Sequence, residues 1–303
     1  MSLPINGLHH VTSLAADARI NNEFFTHRLG LRRVKKTVNF DAPDTYHLYY
    51  GDAVGTPGSV MTYFPFPGMR PGRAGTGEVG ETVFAVPEGS LGFWADRLGT
   101  SDKVTRFGET HLRFAGPDGD RFSLVESGDT RQGWTSEVSA DAAMRGFKGA
   151  SLRLRDGGAT GELLRFMGYE VEATEGDLTR YRVPNGNGAD VIDIEVLPDA
   201  PTARQGSGSV HHIAFSVPDR AAQDVVRKAI ADTGYQITPP IDRDYFWAVY
   251  FRTPGGVLFE VATAEPGFDR DEAPEHLGEA LKLPRQHEHL RAEIESHLDP
   301  IEA

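Results

Sequence analysis

Four segments of the chain share one pattern of apolar and polar positions. GLHHVTSLAAD, GETVFAVPEG, FKGASLRLRDG and VHHIAFSVPD each read as a short apolar strand running into a helix start. Each leads to a helical stretch, NNEFFTHRLG, LGFWADRLG, GELLRFMG and AAQDVVRKAIADTG, that stops at a glycine. The stopping glycines are Gly30, Gly99, Gly168 and Gly234, spaced by 69, 69 and 66 residues. Glycine just past a helix end takes the left-handed backbone angle without steric cost. Asp17 and Asp219 suit the helix N-cap, where a carboxylate accepts backbone N–H bonds.

Strand-rich runs follow every glycine. Turns at Thr56–Ser59, Gly116–Gly119 and Thr253–Gly256 precede VMTYF, DRFSLVE and VLFEVA. Each repeat therefore reads as strand–helix–strand–strand–strand, a βαβββ module. One module leaves an apolar sheet face uncovered, so modules must pair. Four modules give an α+β fold of two half-open, eight-stranded barrels. The expected divisions are residues 5–135 for the first two modules, 145–265 for the last two, and 266–303 for a charged tail. A polar stretch over 126–146 separates repeats two and three. The tail carries one amphipathic helix near 284–298, expected to pack on a barrel or on the partner of a homo-oligomer.

Aligning the repeats at their first strands shows where they differ. Repeat one has His10 at the reference position and repeat four has His212, whereas repeats two and three have Glu81 and Gly149. At the last strands, repeat four offers Glu260, repeat three Glu195, repeat two Ser123 and repeat one Tyr63; Asp193 beside Glu195 leaves the register of repeat three open. A lone strand histidine is ordinarily a packing residue. Two HH pairs at equivalent points of a repeat, with a carboxylate interrupting the apolar run VLFEVA, form a metal set, because a buried carboxylate is costly unless paired or metal-bound. Two imidazoles and one carboxylate are the facial triad of non-haem Fe(II), which leaves positions for substrate and dioxygen; Mn(II) takes the same ligands. The triad converges only if module 1 pairs with module 4, leaving module 2 to pair with module 3.

Composition narrows the chemistry. The chain has no cysteine, which removes disulfides, thiolate metal sites and cysteine nucleophiles and fits a cytoplasmic protein. A formal net charge of −13 argues against nucleic-acid partners. No apolar run is long enough to span a membrane, and MSLPINGLHH lacks the basic start and apolar core of a signal peptide. His276, His287, His289 and His297 fall in the acidic tail and are set aside as ligands, and His47 is given no metal role.

LHHVTS, YHLYYGDAVGTPGSVMTYFP, GSVHHIAFSVPD and YFRTPGGVLFEVAT carry a resemblance that runs almost end to end. The chain resembles the vicinal oxygen chelate superfamily and, within it, ring-cleaving dioxygenases of the hydroquinone type. The resemblance implies that the second histidine of each HH pair and the glutamate of the FE dipeptide bind metal: His10, His212 and Glu260. It also implies active-site roles for His9, His211, Arg243 and Tyr250. Read from the residues alone, alternation along a strand sends neighbouring side chains to opposite faces, so His9 and His211 either lie behind the ligands or are simply buried and hydrogen-bonded. A three-residue loop at 254–256 would set Tyr250 opposite Glu260; a two-residue loop would not. Without the resemblance, Arg243 reads as a surface ion pair with Asp242 or Asp244.

The expected function is Fe(II)-dependent, extradiol-type cleavage of a hydroquinone or catechol-like diol, with a small aromatic substrate and O2 as partners. One rival is a glyoxalase-like lyase or isomerase, which wants a fourth protein ligand where repeat one has Tyr63. The other is a sequestering protein of the same superfamily, which needs no metal triad.

Overall fold

The structure, a computed structural model, describes residues 3–302. Four βαβββ modules follow one another. The first comprises β1 (Leu8–Ala15), α1 (Ala18–Glu23), β2 (Arg32–Asn39), β3 (Ala42–Gly51) and β4 (Val60–Pro65). The second comprises β5 (Glu78–Val86), α2 (Leu91–Leu98), β6 (Lys103–Arg106), β7 (Glu109–Ala115) and β8 (Arg121–Glu126). The third comprises β9 (Phe147–Leu154), α3 (Gly158–Phe166), β10 (Glu170–Glu175), β11 (Leu178–Arg182) and β12 (Val191–Val196). The fourth comprises β13 (Val210–Val217), α4 (Arg220–Asp232), β14 (Ile241–Asp242), β15 (Phe246–Arg252) and β16 (Leu258–Pro266). The tail ends in α5 (Arg291–His297).

The predicted punctuation is present. Asp17 accepts from the Ile20 amide and Asp219 from the Ala222 amide, both at 2.8 Å. All four stopping glycines have positive φ, from 66° to 101°.

The sixteen strands form two eight-stranded sheets. One runs β14-β15-β16-β13-β1-β4-β3-β2 and unites modules 1 and 4; the other runs β10-β11-β12-β9-β5-β8-β7-β6 and unites modules 2 and 3. Within each module the first and last strands pair in parallel, and the modules join through antiparallel β1/β13 and β5/β9. Apolar residues on one face of each sheet, such as Val11, Phe215 and Phe259 in one and Phe84 and Leu152 in the other, merge into a single core. The opposite, concave face of the module 1–4 sheet carries a second buried cluster, with Tyr49, Ala214, Phe246 and Ala262, beside its polar side chains.

The stretch over 126–146 is more than a linker. Val138, Ala142, Ala143 and Met144 are buried, and the Ala142 carbonyl accepts from the Trp94 indole at 2.9 Å. The tail folds back onto module 1. Its Asp271 and Glu272 meet the wholly buried Lys35, His287 bonds the Phe40 carbonyl at 2.9 Å, and Glu302 pairs with Arg33.

Asp120, just before β8, ties the barrels together by accepting from the Tyr63 hydroxyl of β4 at 2.8 Å. Burial pushes this carboxyl from 3.8 up to about 6. A carboxyl whose pKa is raised by folding stabilises the protonated protein, and that stability is lost as pH rises from about 4 through 6. A shift of roughly two units corresponds to about 3 kcal/mol. Asp120→Asn keeps the acceptor for Tyr63 and removes the titration. The stability difference between wild type and variant, from urea unfolding, is therefore expected to change over pH 4 to 6 and to be level above it. A difference independent of pH would contradict this.

Candidate metal centre

Each HH pair sits on a β-bulge. In β1 the partners step from Leu8↔Phe215 to His10↔Ala214, which makes His9 an extra residue. In β13 the partners step from Thr12↔His212 to Ser13↔Val210, which makes His211 the extra residue. A bulge interrupts strict alternation and re-aims side chains. Leu8 and Val11 can then share the core face, while His9 and His10 both turn toward the concave side. Strict alternation, expected from the sequence, does not hold at either pair.

The bulges bring three ligand atoms together. His10 Nε2 and His212 Nε2 are 3.3 Å apart, and they lie 3.4 and 2.9 Å from Glu260 Oε2. Three neighbouring corners of an octahedron with bonds of about 2.1 Å are roughly 3 Å apart. All three side chains are buried, Glu260 completely. Among the described residues, neither oxygen of Glu260 has a hydrogen-bond partner, despite the nearness of His212. Burial alone would push this carboxyl up, but His10 and His212 hold it well below the usual carboxylate range. A fully buried carboxylate facing two imidazole nitrogens at these distances fits a divalent cation, which would supply the positive charge that otherwise has to come from the two imidazoles.

The first histidine of each pair lies behind the second. His9 and His10 approach Nδ1 to Nδ1 at 2.9 Å, and His211 and His212 do so at 2.8 Å. Burial lowers His9 to about 3 and His211 to about 4, so both rings are neutral at ordinary pH. A neutral imidazole can accept at Nδ1. In a metal-bound site each inner ring would donate its Nδ1–H to the outer ring and use Nε2 as the ligand atom.

Tyr250 is the direct strand partner of Glu260, because the loop between the Thr253–Val257 pair has three residues. Its ring meets His212 edge-on at 5.7 Å. Burial and the Glu260 charge push its phenol well above the usual range, so it keeps its proton. The Arg243 guanidinium lies 5.6 Å over the Tyr250 ring. Its carboxylate neighbour is the exposed Asp41 at 3.5 Å, from the β2–β3 turn of module 1, in place of Asp242 or Asp244.

A cavity of about 330 Å³ opens on the triad, lined on its apolar side by Leu14, Phe40, Phe64, Phe66, Phe246 and Leu258. That volume is at the small end of the ~300–1,000 Å³ usual for ligand sites. His47 and Tyr49 also line it. His47 Nε2 bonds Thr62 at 2.8 Å and its Nδ1 bonds the Tyr49 hydroxyl at 2.8 Å. His47, given no metal role from the sequence, stays outside the ligand cluster and reaches the cavity wall from the same face of β3 as Tyr49.

Two register assignments need correction. Thr12 pairs with Thr62 as Ala214 pairs with Glu260, so Thr62 stands at the fourth ligand-like position. Tyr63 points into the core instead. In module 3 the equivalent residue is Asp193, held by two bonds from Arg180 at 2.8 and 2.9 Å, whereas Glu195 pairs with Arg153. The module 2–3 barrel keeps both bulges, at Gly80 and Lys148. Its would-be site is filled by polar contacts such as Ser123 to Glu81 at 2.7 Å.

Comparison with known proteins agrees with this architecture. The family model described as "Glyoxalase/Bleomycin resistance protein/Dioxygenase superfamily" matches residues 7–261. The chain is 43% identical over 303 residues to the Bacillus subtilis (strain 168) protein named "Putative ring-cleaving dioxygenase MhqO", covering 98% of this chain and 96% of that one. It is 34% identical over 319 residues to the chlorohydroquinone/hydroquinone 1,2-dioxygenase of Sphingobium indicum, covering 99% of each. A crystal structure from Bacillus subtilis subsp. subtilis str. 168, titled a "putative dioxygenase", superposes with a TM-score of 0.96 at 42% identity, covering 99% of this chain and 98% of that one. Glyoxalase I from Zea mays shares the fold alone, with a TM-score of 0.63 at 14% identity, covering 86% of this chain and 92% of that one.

Proposed function

From the chain's membership of the Glyoxalase/Bleomycin resistance protein/Dioxygenase superfamily, we propose that it is an Fe(II)-dependent, extradiol-type dioxygenase that opens the ring of a hydroquinone or catechol-like diol. The observation that carries the reading is the fully buried carboxylate of Glu260, set against two imidazole nitrogens at the floor of an aromatic cavity.

His10, His212 and Glu260 would hold the ion, with Mn(II) accepted by the same set. When bound, the metal would bring a diol oxygen and dioxygen together and relay electrons from ring to oxygen. The chain's own residues do the rest. The aromatic wall fits a flat ring and excludes water. The Tyr250 hydroxyl, opposite Glu260, would donate a hydrogen bond to the substrate in the cavity, and Arg243 would offer a permanent positive charge next to it. His9 and His211 fix the tautomer and tilt of the ligand rings. Replacing either by alanine is expected to weaken metal affinity by about 10–100-fold, read by titration of metal-free protein. Unchanged affinity would leave them as packing residues.

The uncharged Thr62 at the fourth position speaks against the glyoxalase-like rival, which wants another charged ligand there. The test is anaerobic loading of the protein with Fe(II), followed by oxygen uptake with substituted hydroquinones and catechols. Uptake matched by loss of diol is expected. A loaded protein that consumes no oxygen with any diol would sink the reading.

A further inference from the structure

A second cleft, of about 620 Å³, lies where the two barrels meet. It draws on the start of β5, the end of β9, the start of β13 and the β15–β16 turn. His211 and Leu258 line both this cleft and the metal-facing cavity, so these two side chains form the partition between them. The two spaces differ in charge. The cavity carries two carboxylates, Glu260 and the exposed Asp41, against one guanidinium, Arg243. The cleft carries three guanidinium groups, Arg155, Arg204 and Arg252. Arg155 donates to the carbonyls of Pro198 and Ala200, at 2.7 and 3.0 Å, and Arg252 to that of Gly256 at 2.7 Å. These acceptors are neutral, so the positive charge persists. Two carboxylates also line the cleft: Glu78 faces Arg153 at 4.0 Å and accepts from the Gly75 amide, and Asp156 accepts from the neutral Gly158 amide and keeps its charge, so the three guanidinium groups outnumber the carboxylates by one.

Charge separates substrate from product in the proposed reaction, and the inference rests on that reading. A neutral diol and O2 become one ring-opened molecule. One ring C–C bond breaks, two C–O bonds form, and both oxygen atoms stay in the product, one in a carboxyl group and one in an aldehyde. The carboxyl group then loses its proton to water. We propose that the cleft is an exit site for this carboxylate product, which leaves past His211 toward Arg252 and Arg155, away from the carboxylate at the other mouth.

The metal-free protein provides a test independent of turnover, with cis,cis-muconate as a stable ring-opened acid. Calorimetric titration is expected to show binding that weakens with salt and falls at least tenfold in Arg155→Gln/Arg252→Gln, a loss expected for removing two cations near a dianion. Arg155→Lys/Arg252→Lys is expected to restore most of it, which separates charge from misfolding. Equal muconate affinity in wild type and the Gln double variant, or no measurable binding to wild type, would overturn the proposal. A protein that cleaves diols but binds muconate without regard to these charges overturns the exit site alone. One that binds muconate through them but never cleaves a diol sustains the anion site and overturns the dioxygenase reading.

Discussion

Glu260→Gln is expected to abolish both metal retention and oxygen uptake. The substitution keeps the side chain's shape at a position with no exposed surface and removes one negative charge. What remains is two imidazoles and a neutral amide, which cannot offset a divalent charge in a buried site. The loss should go well beyond the ~10–100-fold seen when a group behind a ligand is removed. Metal analysis after anaerobic loading and dialysis should find only trace iron. A second readout does not depend on turnover. A ligand that binds only the folded state stabilises it by about 2.7 kcal/mol at 100 times its dissociation constant. Wild-type protein should therefore melt at higher temperature when Fe(II) or Mn(II) is added, and the variant should not. Full occupancy and a normal thermal shift in the variant would remove Glu260 from the metal set.

Tyr250→Phe is expected to separate chemistry from assembly. The ring stays against His212, and the register opposite Glu260 stays as it is. Only the hydroxyl is lost. Removing one preorganised donor from a buried reacting centre costs about 10²–10³-fold in kcat. Metal content and melting temperature should be unchanged, and KM should move far less than kcat. Stopped-flow single turnovers should slow by the same factor as kcat. If KM rises while kcat holds, Tyr250 serves to bind substrate and not to assist the reaction.

Much of this was legible in the sequence, for identifiable reasons. The repeat was visible because glycines in the left-handed region stop four helices at nearly equal spacing, a demand local enough to read from one chain. The pairing of module 1 with module 4 followed from chemistry: His10, His212 and Glu260 have no reason to be where they are unless they converge. What stayed hidden depends on register. Alternation places His9 opposite His10, and nothing in LHHVTS announces a bulge; only the pairing of Leu8 and His10 with consecutive residues of β13 reveals it. The same limit moved the fourth position from Tyr63 to Thr62 and from Glu195 to Asp193. For His47 the sequence excluded a metal role but could not show its bonds to Thr62 and Tyr49, which are made through the folded sheet. The partner of Arg243 escaped because Asp41 is 202 residues away.

Gly149 sets a steric limit on the module 2–3 barrel. It occupies the place in the module 2–3 barrel that His212 occupies in the other, yet a Cβ there would sit 2.0 Å from the Val191 carbonyl oxygen. The strands β9 and β12 have closed into the space a side chain would need. A histidine at this point would have to push a paired backbone aside before it could face Glu81 or Ser123. A histidine at 149 alone thus cannot complete a centre in the module 2–3 barrel, even though its bulges are intact. A β-bulge is therefore not enough to make a centre: it aims a side chain inward only where the neighbouring strand leaves room for one, as at His212 and not at Gly149.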